Sequence, residues 1–363
     1  MSSINFNKLY SEDIKKFQKF INKYWKKNHI FAINDKVLNW QYKKANNYNF
    51  IIAKKNNNII GTQGFIPLKH FDKNLNKDQI FLAFLRVVEG KNIGVSLKLQ
   101  KEIVKKCIPK FIGVIGLHEK THNFHTWLGF KVEKMEHHVI LSQFVNKFKI
   151  AKINNLKTTN KKKDKDISFI ELNIKNIKFL LASNFYKVQI PLKSNNYIIN
   201  RYLKHPFYKY RVILVMQKKK PKALMVIRPI KINNNLVLRF VDFIGTNKSF
   251  LLTYDVSIEL LQKYKAEYID IYSHGIPKKI FNQAGYINRY KEKNLIIPNY
   301  FEPFERRNID IYCAFKSNYK NKIIRLFKGD GDGDRPSILS LFYVFNLINF
   351  VTFVENSIVK NFY

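Results

Sequence analysis

The chain of 363 residues contains few of the residues that define several protein classes. Its 13 Gly and 10 Pro lie below average usage, which excludes collagen-like and low-complexity architectures. The two cysteines, Cys107 and Cys313, match no zinc or redox spacing. We therefore expect both to be reduced and buried in a cytoplasmic protein. The N-terminus has no apolar run after its charges, so we expect no secretory signal there.

Acidic residues are also scarce, with 26 Asp and Glu against 65 Lys and Arg, which gives a formal net charge of +39. Only ten of the basic residues are arginines, whereas proteins that read bases and phosphates rely on arginine forks. The lysines are spread along the chain. We therefore do not expect a nucleic-acid partner, although the charge favours anionic ligands such as nucleotide phosphates. A non-enzymatic basic protein that binds nucleic acid or an anionic membrane surface remains an alternative.

Apolar and aromatic residues are abundant: 46% of the chain is hydrophobic, with 3 Trp, 20 Tyr and 31 Phe. This content supports sizeable cores, and the length suggests about two domains. The pattern alternates helices and strands. The predicted helices are 9–27 with Ser11 as N-cap, 95–107 and 123–128, and the predicted strands are 50–54, 59–66, 80–88, 111–117 and 130–141.

A similar order returns in the second half of the chain. Residues 157–166 contain no apolar residue and read as a solvated linker. Beyond them, residues 199–229 align loosely with 38–67, and FNQAGY at 281–286 echoes HTWLGF at 125–130. The offset stays near 160 residues, which indicates a divergent duplication. The predicted organisation is a first domain at 1–155, a linker at 156–167, a second domain at 168–330 and a tail at 331–363.

The tail carries two unusual patterns. Residues 338–354 contain no charge, and we expect them to pack on the second domain rather than contact a membrane. The alternation of Asp330, Asp332 and Asp334 is like the start of a calcium loop. However, Arg335 replaces the required glycine and Leu341 the required acid, so we predict no bound metal.

The segment most informative about chemistry joins a strand ending at Val88 to a helix beginning at Val95. Gly90 and Gly94 flank the tight turn between them. The first N–H groups of a helix lack backbone partners, and the helix dipole is positive there, so such a turn can bind a pyrophosphate. Lys91 adds positive charge at the rim. An ordinary tight turn is the alternative reading of the same spacing.

In this context the residues Glu89-Gly90-Lys91-Asn92-Ile93-Gly94, followed by Asn123 and by His125-Thr-Trp-Leu-Gly129-Phe130, resemble motifs of the GNAT superfamily of acyl-CoA-dependent acyltransferases. The resemblance implies an α/β fold of two tandem GNAT-like domains, each a mixed, mostly antiparallel sheet flanked by helices. It also implies acetyl-CoA as co-substrate, with its pyrophosphate on the amides of the turn. Glu89 stands where the family has a basic or amide residue, and Asn92 stands at its middle glycine.

The resemblance also implies roles for individual residues. The implied coenzyme contacts are Val87, Val88, Gly90, Lys91, Asn92, Ile93, Gly94, Val95 and Asn123. Backbone N–H groups beside Val87 and Val88 would hold the thioester oxyanion. His125 occupies the place of the tyrosine that protonates the leaving thiolate, its alternative being a surface residue packed on Trp127. His118 or Glu119 would take the proton of the acceptor, and Glu89 is a further candidate base.

The second half lacks these features. FVDFIGTNKSF has no paired glycines, and Phe281 stands where a proton donor would be needed, so the resemblance implies that this copy forms one wall of the acceptor cleft. The chain is similar to acyltransferases of bacterial surface-glycan clusters, which implies a sugar or nucleotide-linked sugar as acceptor. A Fem-type transferase with an aminoacyl-tRNA donor is the alternative, although the sequence shows no long coiled-coil arm.

Overall fold

The fold is taken from a computed structural model, which describes residues 3–90, 92, 94–153, 164–177 and 189–336. Within these ranges, no helix has both the length and the apolar character needed to cross a membrane. The uncharged stretch at 338–354, and the predicted packing of this stretch on the second domain, lie outside the described residues.

Two sheets of eight strands each form the framework, and each defines one lobe of the protein. The first sheet contains β1 (Asn5–Tyr10), β2 (Lys43–Lys44), β3 (Asn47–Lys55), β4 (Asn58–Pro67), β5 (Gln79–Val87), β6 (Phe111–Leu117), β7 (Lys131–Lys134) and β17 (Tyr312–Ser317). The second contains β8 (Glu136–Leu141), β9 (Ile167–Leu172), β10 (Arg211–Gln217), β11 (Lys220–Ile232), β12 (Asn235–Ile244), β13 (Tyr268–His274), β14 (Ile287–Asn288) and β18 (Leu326–Phe327). A separate hairpin pairs β15 (Tyr300–Phe301) with β16 (Phe304–Glu305).

Helices flank both sheets, so that the fold is the predicted mixed α/β class with mostly antiparallel sheets. The α-helices are α1 (Ile14–Tyr24), α2 (Ile30–Ile33), α3 (Asp35–Tyr42), α4 (Val95–Cys107), α5 (His122–Trp127), α6 (Asn195–Ile198), α7 (Asn247–Phe250), α8 (Thr253–Tyr264) and α9 (Lys278–Ala284). A π-helical turn at Ile199–Leu203 continues α6.

The first predicted helix is wrong at its start. Leu9 belongs to β1, where it pairs with Tyr48, and Ser11 is not an N-cap, because its hydroxyl donates to the carbonyl oxygen of Asn46 at 3.1 Å. The apolar residues of 9–27 fit helical spacing, but the edge of the first sheet captures the first of them through backbone pairing. Helix α1 therefore begins only at Ile14.

The two sheets share one strand order. The first reads β1-β3-β4-β5-β6-β17-β7 and the second, from its other end, β9-β10-β11-β12-β13-β8-β14. Each contains one parallel pair, β5 with β6 and β12 with β13. The sixth strand is exchanged between the halves of the chain: β17 inserts between β6 and β7, and β8 inserts between β13 and β14.

This exchange corrects the single strand predicted for residues 130–141. The chain breaks at Met135, which is fully buried and donates its N–H to the carbonyl oxygen of Ile311. Strand β7 on one side of Met135 belongs to the first lobe and β8 on the other side belongs to the second. The boundaries 1–155 and 168–330 stay a prediction, but the sheets themselves interlock, so neither lobe contains only one half of the chain.

The segment 189–205 joins the lobes through hydrogen bonds. The Leu192 N–H donates to Oε1 of Gln79 in β5 at 2.8 Å, and Nδ2 of Asn200 donates to the Phe71 carbonyl oxygen at 2.7 Å. Nε1 of Trp40 in α3 donates to the carbonyl oxygen of Asn200 at 3.1 Å. These contacts fix the orientation of the first sheet relative to the second.

The cysteines differ in accessibility, which corrects the expectation that both are buried. Cys313 in β17 is fully buried, and burial raises the pKa of its thiol to about 12. Cys107, the last residue of α4, is only half-buried.

Because the thiolate is the reactive species, alkylation of the native protein with iodoacetamide is expected to modify Cys107 slowly and to leave Cys313 unmodified. Mass spectrometry after peptide digestion measures both, and urea-unfolded protein, in which both should react, is the control. Rapid modification of Cys313 in the native state would contradict its placement.

Candidate functional site

The two parallel strands of the first sheet diverge. Strands β5 and β6 pair only over Gln79–Phe81 and Phe111–Gly113, and their remaining lengths are not paired to each other. Strand β5 also bulges: Phe84 has a φ of +56°, and the register against β4 shifts between Thr62 and Gly64. The bulge re-aims the strand, and the divergence leaves backbone groups on one edge of β5 free of β6.

Of the two predicted oxyanion donors at the end of β5, the N–H groups of Val87 and Val88, only that of Val87 is available. The Val88 N–H donates to the carbonyl oxygen of Ile60 at 2.8 Å, so this amide is not free for a thioester oxygen. Successive N–H groups of an extended strand point to opposite edges. The Val87 N–H therefore faces the edge from which β6 has diverged.

The turn after β5 has the geometry that an anion seat requires. Gly94 is the N-cap of α4, has a φ of +79°, and makes no side-chain cap, so the first amides of the 13-residue helix are not covered by a capping side chain. Gly90 has a φ of +111°, and a Cβ at either glycine would meet nothing within 4 Å. The backbone on both sides of the turn is therefore open to an approaching phosphate.

The interior of the turn is ordered by Asn92. Its Nδ2 donates to the Val88 carbonyl oxygen at 2.9 Å, and its N–H donates to the Gly90 carbonyl oxygen at 2.8 Å. Glu89 points away into solvent: its side chain is 92% exposed and approaches Arg86 at 4.0 Å. The carboxylate of Glu89 therefore does not lie over the turn, and two of the predicted contacts, Lys91 and Ile93, lie outside the described residues.

The corresponding turn of the second lobe is closed. The Thr246 hydroxyl accepts from the Ser249 N–H at 3.1 Å and the Ser249 hydroxyl accepts from the Thr246 N–H at 2.8 Å, which together form a capping box on α7. Arg325 covers the same turn by donating to the Gly245 carbonyl oxygen and to Oδ1 of Asn247. The helix start in this lobe is capped by the chain's own side chains, whereas the start of α4 is not.

His125 lies in α5 and is buried against the rings of Phe124 and Phe130, whereas Trp127 is exposed. Its Nδ1 lies 2.9 Å from the Thr121 carbonyl oxygen and therefore carries the proton. Burial lowers the pKa of His125. A neutral ring in this tautomer has a lone pair at Nε2, so protonation of a thiolate from Nε2 would first require the ring to take up a proton there. Asn123 is exposed on the same helix.

A cleft of about 360 Å³ opens between the lobes at the carboxyl end of β6. Residues of both lobes form it, and its polar lining includes His118, Arg228, Glu302, Asp310, Lys328 and Asp334. His118 follows β6 directly and is exposed, and its Nδ1 accepts from the Lys120 N–H at 3.2 Å. A neutral His118 therefore carries its proton on Nε2. Glu119 is exposed next to it but does not line the cleft.

Residues 328–336, which we call the aspartate loop, are largely buried at this cleft. Their sequence pattern predicted no role beyond a calcium-like spacing without bound metal. A Cβ at Gly331 would lie 3.0 Å from Cβ of Phe81, and one at Gly333 would lie 2.5 Å from Cγ2 of Ile115. Only glycine allows the loop to lie so close to the diverging strands β5 and β6. The repeated glycines were the available signal, but composition alone did not show what they pack against.

The three aspartates of this loop are each paired with a cation. Asp330 contacts Nζ of Lys193 at 2.7 Å, Asp334 contacts Nε of Arg228 at 3.0 Å, and Asp332 pairs with Arg335. Within the described ranges, no group of three or more His, Cys, Asp or Glu residues could hold a metal ion. The pattern that is like a calcium loop in sequence therefore forms ion pairs, which attach the loop to the segment 189–205 and to β11 of the second lobe and close one pair within the loop itself.

Lys328, at the start of the loop, is different. It lines the cleft, is 8% exposed, and forms no ion pair with any residue of the described chain. Burial lowers the pKa of its ammonium group to about 7, with a further lowering by the guanidinium groups of Arg239 and Arg228. The carboxylates of Asp334 and Asp270 oppose this shift only in part.

This lowered pKa predicts a pH-dependent stability. An unfolded lysine keeps its proton to a pH near 10.5, so between about 7 and 10.5 the unfolded chain binds the extra proton. The contribution of Lys328 to the free energy of unfolding should therefore rise with pH in that window, by at most about 1.4 kcal/mol per pH unit. Lys328→Met should remove this contribution, as measured by urea unfolding of both proteins from pH 7.5 to 9.5. If the difference in unfolding free energy between the wild type and the variant does not change with pH, the lowered pKa of Lys328 is wrong.

Comparison with known proteins finds similarity in fold only. No family model matches the chain, and no curated protein matches it in sequence. Among solved structures, a GCN5-related N-acetyltransferase from Anabaena variabilis superposes with a TM-score of 0.54 at 10% identity, over 86% of this chain and 72% of that one. A GCN5-related N-acetyltransferase from Kribbella flavida superposes with a TM-score of 0.51 at 7% identity, over 86% and 71%.

Each superposition covers 86% of this chain and therefore extends over both of its lobes. Each lobe of this chain is a mostly antiparallel eight-stranded sheet flanked by helices. The chain therefore has a two-lobed fold of the type found in GCN5-related N-acetyltransferases.

Proposed function

We propose that this protein transfers an acyl group, with acetyl as the group proposed first, from acyl-CoA to an amino or hydroxyl group of a sugar or nucleotide-linked sugar. The observation that carries the proposal is the open glycine turn between the bulged end of β5 and the uncapped start of α4. The coenzyme pyrophosphate would bind at this turn, and the thioester would lie beside Val87, where β6 has diverged. The positive net charge of the chain favours approach of the anionic coenzyme.

The acceptor would bind in the cleft between the lobes, with the second lobe as one wall. The capped turn at Thr246 supports a division of labour in which only the first lobe binds coenzyme. The shared strand order of the two sheets supports an origin by duplication. The choice of a sugar acceptor, and of a cytoplasmic step in bacterial surface-glycan synthesis, rests on the sequence resemblance.

The reaction would be a direct attack within a ternary complex. The acceptor nitrogen or oxygen forms a bond to the thioester carbonyl carbon, the oxyanion accepts a hydrogen bond from the Val87 N–H, and the C–S bond then breaks. The acceptor loses a proton, and the departing thiolate gains one. We retain His118 on the acceptor side because it lines the cleft. Glu119 and Glu89, as alternative bases for the acceptor proton, and His125, as the group that protonates the thiolate, also belong to the proposal.

Titration calorimetry of the full chain with acetyl-CoA tests the donor. Binding, followed by release of free thiol when amino sugars or nucleotide-linked amino sugars are added, is the expected result. The full chain is needed because the lobes exchange strands. Absence of binding at millimolar acetyl-CoA to a folded sample would remove the proposal. Aminoacyl-tRNA, titrated in parallel, would identify the Fem-type alternative if it bound more tightly than random RNA.

A further inference from the structure

We propose that Arg228 and Lys328 form a binding site for a phosphate group carried by the acceptor, in the cleft between the lobes. The inference rests on the proposed function in placing the acceptor there, and it adds the chemical class of the acceptor. Two side chains carry it, Lys328 and Arg228. Each lines the cleft, is more than nine-tenths buried, and has hydrogen-bond donors that the described chain does not use.

The first observation concerns Lys328. Its ammonium group has no carboxylate partner among the described residues, although it is surrounded by protein. Its nearest aromatic contact is the ring of Tyr272, whose centroid is 5.8 Å from Nζ. A buried ammonium without a partner is costly, and an anion that enters the cleft would supply the missing charge.

The second observation concerns Arg228 in β11. Its guanidinium packs over the ring of Tyr208, with the central carbon 4.1 Å from the ring centroid, which fixes the plane of the group. Its ion pair with Asp334 uses Nε at 3.0 Å, and no hydrogen bond to the described chain uses its Nη atoms. A guanidinium held in a fixed plane with free Nη donors matches the geometry of phosphate oxygens, and a lysine nearby adds a point charge.

Among the acidic residues of the cleft, Asp310, Asp332 and Asp334 pair with cations other than Lys328. Asp310 lies 2.5 Å from Nη2 of Arg289 and 3.3 Å from Nζ of Lys134. Glu302 accepts from the Tyr208 hydroxyl at 2.9 Å, and Asp334 accepts from the Tyr210 hydroxyl at 2.9 Å. Within the described part of the cleft, Lys328 is thus a buried cation with no carboxylate at ion-pair distance, although Asp334 and Asp270 act on it from farther away.

Binding should be linked to pH through Lys328. The charged and titratable groups that face it from the packed elements and across the cleft are Arg228, Arg239, Asp270, Asp332, Asp334, Arg335, Tyr272, Tyr208, Tyr300, Glu302, Asp310 and His118. Burial and the two guanidinium groups lower the pKa of Lys328 to about 7 in the free protein. A bound phosphate would favour the charged ammonium, so binding near pH 8 should take up a proton, and affinity should fall as pH rises above 7.

The experiment is calorimetric titration of the full chain with inorganic pyrophosphate and with UDP, at pH 6 and pH 8.5 and in two buffers of different ionisation heat. We expect Lys328→Met to weaken binding of both probes by about tenfold to a hundredfold at pH 6, the value of a charge-assisted hydrogen bond. At pH 8.5 the wild type should bind more weakly than at pH 6 and take up a proton, and the variant should not.

Met has a similar length and removes a buried charge, so the variant should fold. The matched control is Lys101→Met, which removes an exposed lysine of α4 and should leave both titrations unchanged.

Equal affinity of the wild type and Lys328→Met at pH 6, or a pH-independent affinity without proton uptake, would overturn this site. An acetyl-CoA titration of the same samples separates the two proposals. If acetyl-CoA binds but the Lys328-dependent phosphate binding is absent, the phosphate site is wrong and the proposed donor stands. If the Lys328-dependent binding is present but acetyl-CoA does not bind, the donor is wrong and the phosphate site stands. Competition of acetyl-CoA for the Lys328-dependent site would assign the phosphate to the coenzyme instead and overturn its assignment to the acceptor.

Discussion

Gly94→Asp is expected to weaken acetyl-CoA binding by about tenfold to a hundredfold relative to Gly94→Asn. Gly94 has a φ of +79° and is exposed at the start of α4, and Asp and Asn both tolerate this backbone conformation better than other side chains. The two variants have nearly the same shape, so the difference between them reports charge. A carboxylate about 5 Å from a pyrophosphate, near a protein surface, costs roughly 1.4 to 3 kcal/mol.

Calorimetry with acetyl-CoA measures the effect, and repetition at high salt tests its origin, because a Coulombic penalty shrinks with ionic strength. Urea unfolding of both variants is the control for folding. Equal affinities of the Asp and Asn variants would place the pyrophosphate somewhere other than the Gly94 turn. Such a result would also remove the observation on which the proposed function depends.

Lys193→Met is expected to lower the free energy of unfolding by roughly 3 to 5 kcal/mol. Nζ of Lys193 lies 2.5 Å from Asp242 in β12 and 2.7 Å from Asp330 in the aspartate loop, and all three side chains are fully buried. Burial of the lysine lowers its pKa, but the carboxylates of Asp242 and Asp330 outweigh burial and hold the pKa of Lys193 above its ordinary value. Removal of the ammonium leaves two buried carboxylates facing each other, one of which also accepts from the Tyr202 hydroxyl at 2.6 Å.

Urea unfolding at pH 7 measures this loss, which should become smaller as pH falls, because burial raises the pKa of Asp330 to about 6 and this carboxylate can then take up a proton. The matched control is Lys98→Met, which removes an exposed pair with Glu102 at 3.5 Å and should change stability by about 0.5 kcal/mol or less. A change of less than about 1 kcal/mol in Lys193→Met would show that the aspartate loop is not attached to the second lobe through this triad.

Local patterns in the sequence were sufficient for most of the elements around the glycine turn between β5 and α4. The helix predicted at 95–107 and the strand predicted at 111–117 are confirmed with the same bounds. Glycine spacing and apolar periodicity act over a few residues, and they are therefore legible without knowledge of the rest of the chain. The strand predicted at 130–141 is wrong because its two halves pair with different sheets, and nothing in its periodicity marks Met135 as the crossing point.

The placement of individual side chains also required the tertiary structure. The sequence could not show that Glu89 faces solvent or that the Val88 N–H is used by Ile60. Residues 328–336 are the clearest case. Their alternating Gly and Asp are like the start of a calcium loop in sequence, but the loop is buried, and Lys193, Arg228 and Arg335 pair with its carboxylates.

The sequence by itself determined the class of fold, the two-part organisation, and the open turn before α4, because each follows from short-range periodicity and from the conformational freedom of glycine. The tertiary structure decided which strands complete each sheet and which charges meet in the cleft. Those features depend on interactions between residues a hundred or more positions apart, such as Lys328 with Arg228 and Asp310 with Lys134. Buried charges far apart in the chain can be matched only once the backbone brings them together.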